Sequence, residues 1–305
     1  CCSYNYVYGT YEPPPTGKPN SFNERSGYST SWTWTNTLNY SGSIRNNHRI
    51  HVLLGTEEKS NYTRQLAGAR SGYFTNDPNY RFLTTGNPAG QSNYSIASTS
   101  FLSSFFSQVN YGFKEKYFVS GTLRKDGSSI FGPENRSGWF PAVGAAWRIS
   151  DEKFMTNIDW IEELKLRTSW GKSGYYGNTD PLNQYTLYGG GPGGSYYDIN
   201  GTSNSIQQGF RQVRIGNAKT GWQEDIVTNA GIESVFWNGK LSLTADWYNK
   251  KSKGLLFPLS LPALLGDATR PNANVGNITN TGFDITLGSK GRFSKNWSWD
   301  VLIAF

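Results

Sequence analysis

His48 and His51 are the only two histidines of the 305-residue chain. Their H-x-x-H spacing falls in an alternating segment, where residues three apart point to opposite faces, so a shared metal ion is not expected. The only cysteines, Cys1 and Cys2, are adjacent and offer neither a disulfide framework nor a zinc site. A lipidated Cys1 would require a signal peptide and lipobox, and neither is seen. The carboxylate neighbours Asp151/Glu152, Glu57/Glu58 and Glu162/Glu163 sit on turns or strands, where adjacent side chains diverge. A glycosidase needs two carboxyls about 5–10 Å apart across a cleft, and nothing here nominates such a pair. Ser100, Ser128 and Ser129 lack a nucleophile-elbow context. Gly189-Gly190-Gly191 and Gly193-Gly194 flank Pro192 with no Lys-Ser/Thr and no following helix, so a phosphate cradle is not expected. These residue types predict no enzyme, no metal and no cofactor.

Aromatic residues carry more information. Tyr175, Tyr176, Tyr185, Tyr188, Tyr196 and Tyr197 crowd one long Gly- and Asn-rich stretch. A flat ring face complements the apolar face of a pyranose, so sugar stacking is one reading of them; packing within the loop or against a partner is the other. Asp126-Gly127-Ser128 and Phe131-Gly132 are expected to shape a turn rather than hold a ligand.

The elements that would position these residues are strands. Over 117–149, Tyr117, Val119 and Leu123 alternate with Phe118, Ser120, Thr122 and Arg124. Past a polar loop, Val143, Ala145, Trp147 and Ile149 alternate with Ala142, Gly144, Ala146 and Arg148. Each strand thus has one apolar face and one small, polar or charged face. Similar runs cover 28–44, with Trp32, Trp34, Leu38 and Tyr40 in phase, and continue to 65, through 113, over 164–171, 222–232 and 241–247, and over 283–287 and 297–305. Residues 150–163 alone have a short helical look, with Ser150 placed to cap. The Asn238-Gly239 pair is the strongest hairpin signal.

About eleven strands result, and their connections alternate. Those near 45–47, 114–116, 235–239 and 290–296 are short and that at 150–163 is modest; those at 9–27, 66–96, 126–138, 173–221 and 255–274 are longer. Short turns at one rim and long loops at the other describe an outer-membrane β-barrel. Trp32, Trp34, Trp147, Trp170, Trp222, Trp247, Trp297 and Trp299, on or near strand ends, are then expected at the membrane interfaces. Hydrophobic content of 36% beside 15% aromatics fits a wall in which only alternate residues meet lipid, and no run of 18 apolar residues could span as a helix. The formal charge of +7 is scattered without a basic run, which argues against nucleic acid; a mildly basic surface is the favoured reading, ahead of an anionic lipopolysaccharide leaflet or a polar lumen, which would use the charges equally well.

The string LRKDGSSIFGPENRSGWFPAVGAAWRISDEKFM (123–155) resembles a barrel segment of the SusC/RagA group of TonB-dependent outer-membrane transporters of Bacteroidota. LKLRTSWGKSGYYGN (164–178), GIESVFWNGKLSLTADWYNKKSKGLLF (231–257) and NVGNITNTGFDITL (274–287) resemble later segments in the same order. The resemblance implies an all-β, antiparallel transmembrane barrel portion spanning 1–305. It would supply about 11 of roughly 22 strands, with the plug absent. It implies TonB-dependent import of glycans or peptides, a SusD-like surface lipoprotein as partner, and TonB, ExbB and ExbD acting through the plug. A siderophore or cobalamin receptor, a passive porin, and a secreted carbohydrate-binding module or glycosidase are the alternatives. If Val143, Trp147, Leu243, Trp247, Val301 and Ile303 met in a closed core, the transporter reading would fail.

Overall fold

The computed structural model describes residues 2–7, 19–45, 47–177, 179–190, 196–198, 200–201, 206–262, 266 and 268–305. Eleven strands form one antiparallel sheet in the order β1-β2-β3-β4-β5-β6-β7-β12-β13-β16-β17. They are β1 Cys2–Val7, β2 Ser21–Ile44, β3 His48–Ser71, β4 Ser92–Phe113, β5 Tyr117–Ser128, β6 Ser137–Arg148, β7 Ile161–Tyr175, β12 Gln223–Phe236, β13 Leu241–Lys253, β16 Asn277–Ser294 and β17 Trp297–Ala304. The remaining strands belong to loops: β8 Leu187–Gly189 pairs with β11 Arg211–Arg214, β9 Tyr196–Asp198 with β10 Ile206–Gln208, and β14 Leu256–Pro258 with β15 Asn272–Asn274.

The expected strands are present, but several reach further into the loops. β2 begins at Ser21, inside the expected 9–27 loop, and β3 continues to Ser71, inside 66–96. Neither added stretch, SFNERSG or LAGARS, alternates cleanly, and ladder pairing holds them as strand where side-chain periodicity is weak. The helix expected near 150–163 is two one-turn 3₁₀ helices, Ile149–Asp151 and Lys153–Met155, begun by Arg148 and Glu152 without side-chain caps. Ser150 lies inside the first turn and hydrogen-bonds Asp151 instead of capping.

Two compact units divide the chain: Cys1–Thr33 with Lys59–Phe101, and Trp34–Glu58 with Leu102–Phe305. In the first, the loop after β3 folds around Asn20. Its amide donates to the Tyr73 carbonyl (3.0 Å) and to Asn76 Oδ1 (2.9 Å), while its carbonyl oxygen accepts from Tyr73 N (2.6 Å). Burial raises the Tyr73 phenol above its ordinary pKa.

In the second unit the register settles the faces. Tyr117 lies opposite Trp147, Trp147 opposite Leu166, Leu166 opposite Ile232, Ile232 opposite Ala245, and Ala245 opposite Ile285. Such direct neighbours share a face, so one apolar band crosses six strands. No second layer covers it: Val143 is 55% exposed, Val301 48% and Ile303 47%, and Trp147, Leu243 and Trp247 are not buried. A closed two-layer core is therefore not formed by these six residues. Buried apolar side chains instead cluster at the loops, with Ile130, Phe131, Leu256 and Ala268 among them.

Candidate functional site

The polar face of the second unit is built one residue out of phase with the band. Ser120, Gly144, Ser169, Asn229, Tyr248 and Gly282 lie side by side across six strands. In the next such row Phe118, Ala146, Arg167, Gly231, Asp246 and Asp284 do the same. Small and hydroxylated residues leave the backbone side of this wall open to water. Charges on it are paired: Arg167 bonds Glu233 (3.0 Å) and Asp246 (2.6 Å), and Lys165 also reaches Glu233 (3.1 Å).

Towards the long loops, Arg124 forms a tighter knot. Its guanidinium donates to Asp126 (2.7 Å), Glu57 (3.1 Å) and Ser104 (2.8 Å), and stands 5.4 Å from the Phe106 ring centre. Ser104 and Asp126 are buried. The half-buried Arg124 guanidinium, with two carboxylates, a hydroxyl and a ring face around it, is held by charge-assisted bonds.

The described residues of the long loops, those of 173–221 among them, are tied together by hydrogen bonds. Asn183, buried, donates through Nδ2 to Thr220 Oγ1 (3.0 Å) and the Asn272 carbonyl (3.2 Å), and its Oδ1 accepts from Asn272 N (2.7 Å). Asn274 accepts from Gly221 N (2.8 Å) and donates to the carbonyls of Gly221 and Gly254, each at 2.9 Å. Gln184 and Asn135 tie in the loop after β5, donating to Ser129 O (3.0 Å) and Lys219 O (2.9 Å). Three loops thus share one hydrogen-bonded knot made by asparagine amides. Gly132 lies so close to Ala218 that a Cβ there would overlap its carbonyl oxygen.

The expected site residues separate by position. Tyr185, Tyr188 and Tyr197 are exposed in the loops. Tyr175 ends β7, and Tyr176 packs edge-on against Trp222 (5.3 Å), where burial raises its phenol pKa. The side chain of Tyr196 lies outside the described residues. Trp222 also meets Phe131 (5.3 Å) and Phe140 (5.4 Å), and donates Nε1 to Arg136 O (3.1 Å). These four contacts tie the half-buried Trp222 to the loop knot.

Trp147 and Trp247 bound the apolar run on their strands, and Trp170 ends the run Leu164, Leu166, Trp170. Trp32 and Trp34 are exposed on β2, Trp297 is exposed at the start of β17, and Trp299 donates to Ser289 Oγ (3.3 Å). A ladder of rings marks the short-turn rim: Phe113 stacks on Tyr117 (6.1 Å) and Tyr117 on Trp147 (6.4 Å). His48 faces Phe113 at 4.8 Å and shares a 2.7 Å hydrogen bond with the Tyr111 hydroxyl. In the turn below, Glu152 accepts from Tyr117 OH (2.6 Å) and Trp147 Nε1 (3.3 Å). The Tyr117 bond, helped by Trp147 and Lys116, holds the Glu152 carboxyl below its usual range.

Sequence reasoning missed Trp139, Trp160 and Trp237. Trp160 stacks on Phe236 (5.6 Å) and Trp237 (6.0 Å) at the short-turn rim. Trp139, exposed and opposite Lys125, lies eight residues along β6 from Trp147. Eight residues at about 3.3 Å, tilted by 35–45°, separate the two rings by roughly 20 Å along the membrane normal, close to the height of a barrel's apolar band. Its odd-numbered phase with Val143 and Trp147 was the available signal.

The TonB dependent receptor-like, beta-barrel family matches residues 3–305. TonB-dependent receptor P26 of Formosa agariphila is 30% identical over 269 residues, covering 88% of this chain and 26% of the relative. TonB-dependent receptor SusC of Bacteroides thetaiotaomicron is 29% identical over 211 residues, 69% of this chain and 20% of SusC. The solved RagAB peptide transporter matches with a TM-score of 0.80 and 25% identity, over 99% of this chain and 32% of that one. The chain spans between a fifth and about a quarter of the length of the curated relatives it matches.

Proposed function

This chain belongs to the TonB-dependent receptor-like β-barrel family of outer-membrane proteins, with SusC-like relatives, and on that premise we propose that it forms part of the wall of an importer of large nutrients. One observation carries the reading: a single sheet has an uncovered apolar face and a charged, hydroxylated opposite face. The first requires hydrocarbon and the second water. The chain performs no covalent step. Its work is to insulate a polar conduit and to hold long loops in fixed positions at the outer mouth.

Glycans are the proposed cargo, and exposed Tyr185, Tyr188 and Tyr197 are the proposed ring platforms. Tyr175, Tyr176 and Tyr196 are candidates by position, Tyr176 with its ring edge-on to Trp222. Peptides are the second reading, favoured by the likeness to a peptide transporter. A SusD-like surface lipoprotein is the proposed partner over the knotted loops. TonB, ExbB and ExbD are the proposed source of energy through the plug of the whole receptor.

The test uses the full-length receptor purified from outer membranes and titrated calorimetrically with oligosaccharide and peptide pools. Alanine at Tyr185, Tyr188 and Tyr197 should weaken oligosaccharide binding by roughly two- to tenfold per ring. Undiminished binding in the triple variant would remove the tyrosines from the site. Peptide binding without sugar binding would select the second reading, and co-purification of a lipoprotein would identify the partner.

A further inference from the structure

On the apolar face of the second unit, the apolar run of several strands gives way to cations on the loop side. On β5, Tyr117, Val119 and Leu123 are followed in phase by Lys125. On β13, Leu241, Leu243, Ala245 and Trp247 are followed by Asn249, Lys251 and Lys253. Lys125 is eight residues beyond Tyr117, and Lys251 and Lys253 are ten and twelve beyond Leu241. At about 3.3 Å per residue and a 35–45° tilt, these positions stand roughly 20–30 Å from the short-turn rim, at the outer border of an apolar band about 25 Å tall.

All three lysines are exposed and have no counter-ion among the described residues. Lys125 Nζ lies 5.3 Å from the Trp139 ring centre. Lys250, one residue away but on the polar face, is paired with Asp225 at 3.4 Å. Glu224 lies directly opposite Lys253, yet its carboxylate is taken by Lys172 at 2.5 Å. Beside Lys251 and Lys253, strand β16 offers Thr279 and Asn277 as further donors. Lys250, Lys165 and Arg167 on the polar face thus have carboxylate partners, while these three lysines have none among the described residues.

A lysine stem can lie along apolar surface and lift its ammonium to the headgroups, where the available counter-ions are lipid phosphates. We propose that Lys125, Lys251 and Lys253 form a docking strip for phosphate groups of anionic glycolipids in the outer leaflet. The proposal rests on the reading of the apolar face as lipid-facing. It assigns the strip a partner distinct from the imported cargo: charge-assisted N–H···O bonds from Lys125 on β5, and from Lys251 and Lys253 on β13 four strands away, hold lipid phosphates at one level and so set the height of the barrel.

The full-length receptor is delipidated in neutral detergent and mixed with lipid A carrying or lacking its phosphates, and retained lipid is counted by native mass spectrometry. Each lysine near an anionic surface is worth about fivefold in partition. The triple variant K125Q/K251Q/K253Q should therefore lose on the order of a hundredfold in retention of phosphorylated lipid A at low salt, and less at high salt. Arginine at the same positions should keep it. Equal retention of both lipids by wild type and variant would overturn the strip while leaving the lipid-facing reading intact. Retention of neither lipid by folded wild type would also overturn the strip, whereas a receptor that stays monodisperse without detergent would overturn the lipid-facing reading itself. Displacement by millimolar inorganic phosphate would reduce the strip to a simple anion site and overturn its lipid assignment.

Discussion

Single side chains in this wall act mainly by satisfying one another's charge. Arg167 lies between Glu233 and Asp246, and all three are partly exposed, so solvent screens the pairs. A double-mutant cycle on Arg167 and Asp246 should give a coupling of about 1 kcal/mol, measured by unfolding in detergent. A coupling near zero would mean that the pair is ornamental. Glu152 makes a pH-dependent case. Its folded pKa is depressed, chiefly by the Tyr117 hydrogen bond. The stability it contributes is therefore present above its unfolded pKa of about 4.3 and is lost as pH falls through the lower folded value. The difference in unfolding midpoint between wild type and E152Q should be constant above about pH 5 and vanish on acidification. A difference that grows with acid would contradict the assignment.

Turns and loops decide how the strands are held. Lys114 and Glu115 both adopt positive φ (51° and 58°) in the tight turn between β4 and β5, a conformation that costs a non-glycine residue roughly 1 kcal/mol. Replacing them by Asn-Gly should raise stability by about 1 kcal/mol, since the exposed Arg49–Glu115 pair lost with them is worth little. An unchanged or lowered melting temperature would count against this. Within the loops, Asn274→Ala removes bonds to Gly221 and Gly254 and leaves their backbone groups short of partners. The expected cost is about 2 kcal/mol, seen as faster hydrogen exchange across 217–222 and 254–274 with the main strands unaffected. Uniform exchange would show that the knot is not a separate unit.

At the scale of the whole molecule, an apolar face with no covering layer dictates the environment. The full-length protein should aggregate when detergent is removed and regain its strand content in lipid vesicles. Monodisperse behaviour in plain buffer, by light scattering, would exclude a lipid-facing band. The absence of any long apolar helix among the described residues is compatible with this, because barrels cross with strands.

Period-two alternation made the strands readable in advance, because every second side chain in a segment such as 241–247 must meet the same solvent whatever its neighbours are. The alternation of short turns and long loops followed from the same reading, and the aromatics at the ends of alternating runs, Trp147 and Trp247, were visible with it. The loop knot was not. Asn183, Thr220, Asn272 and Asn274 carry no periodicity, and their partners lie 20 to 89 residues away. The contacts of Trp222 with Phe131, Phe140 and Tyr176 were equally invisible, because they join β6 to two loops. The sequence alone determined which residues share a face, since that depends on backbone geometry within one strand. Tertiary structure decided which strands are neighbours and which loop side chains find partners, since those depend on contacts between segments far apart in the chain.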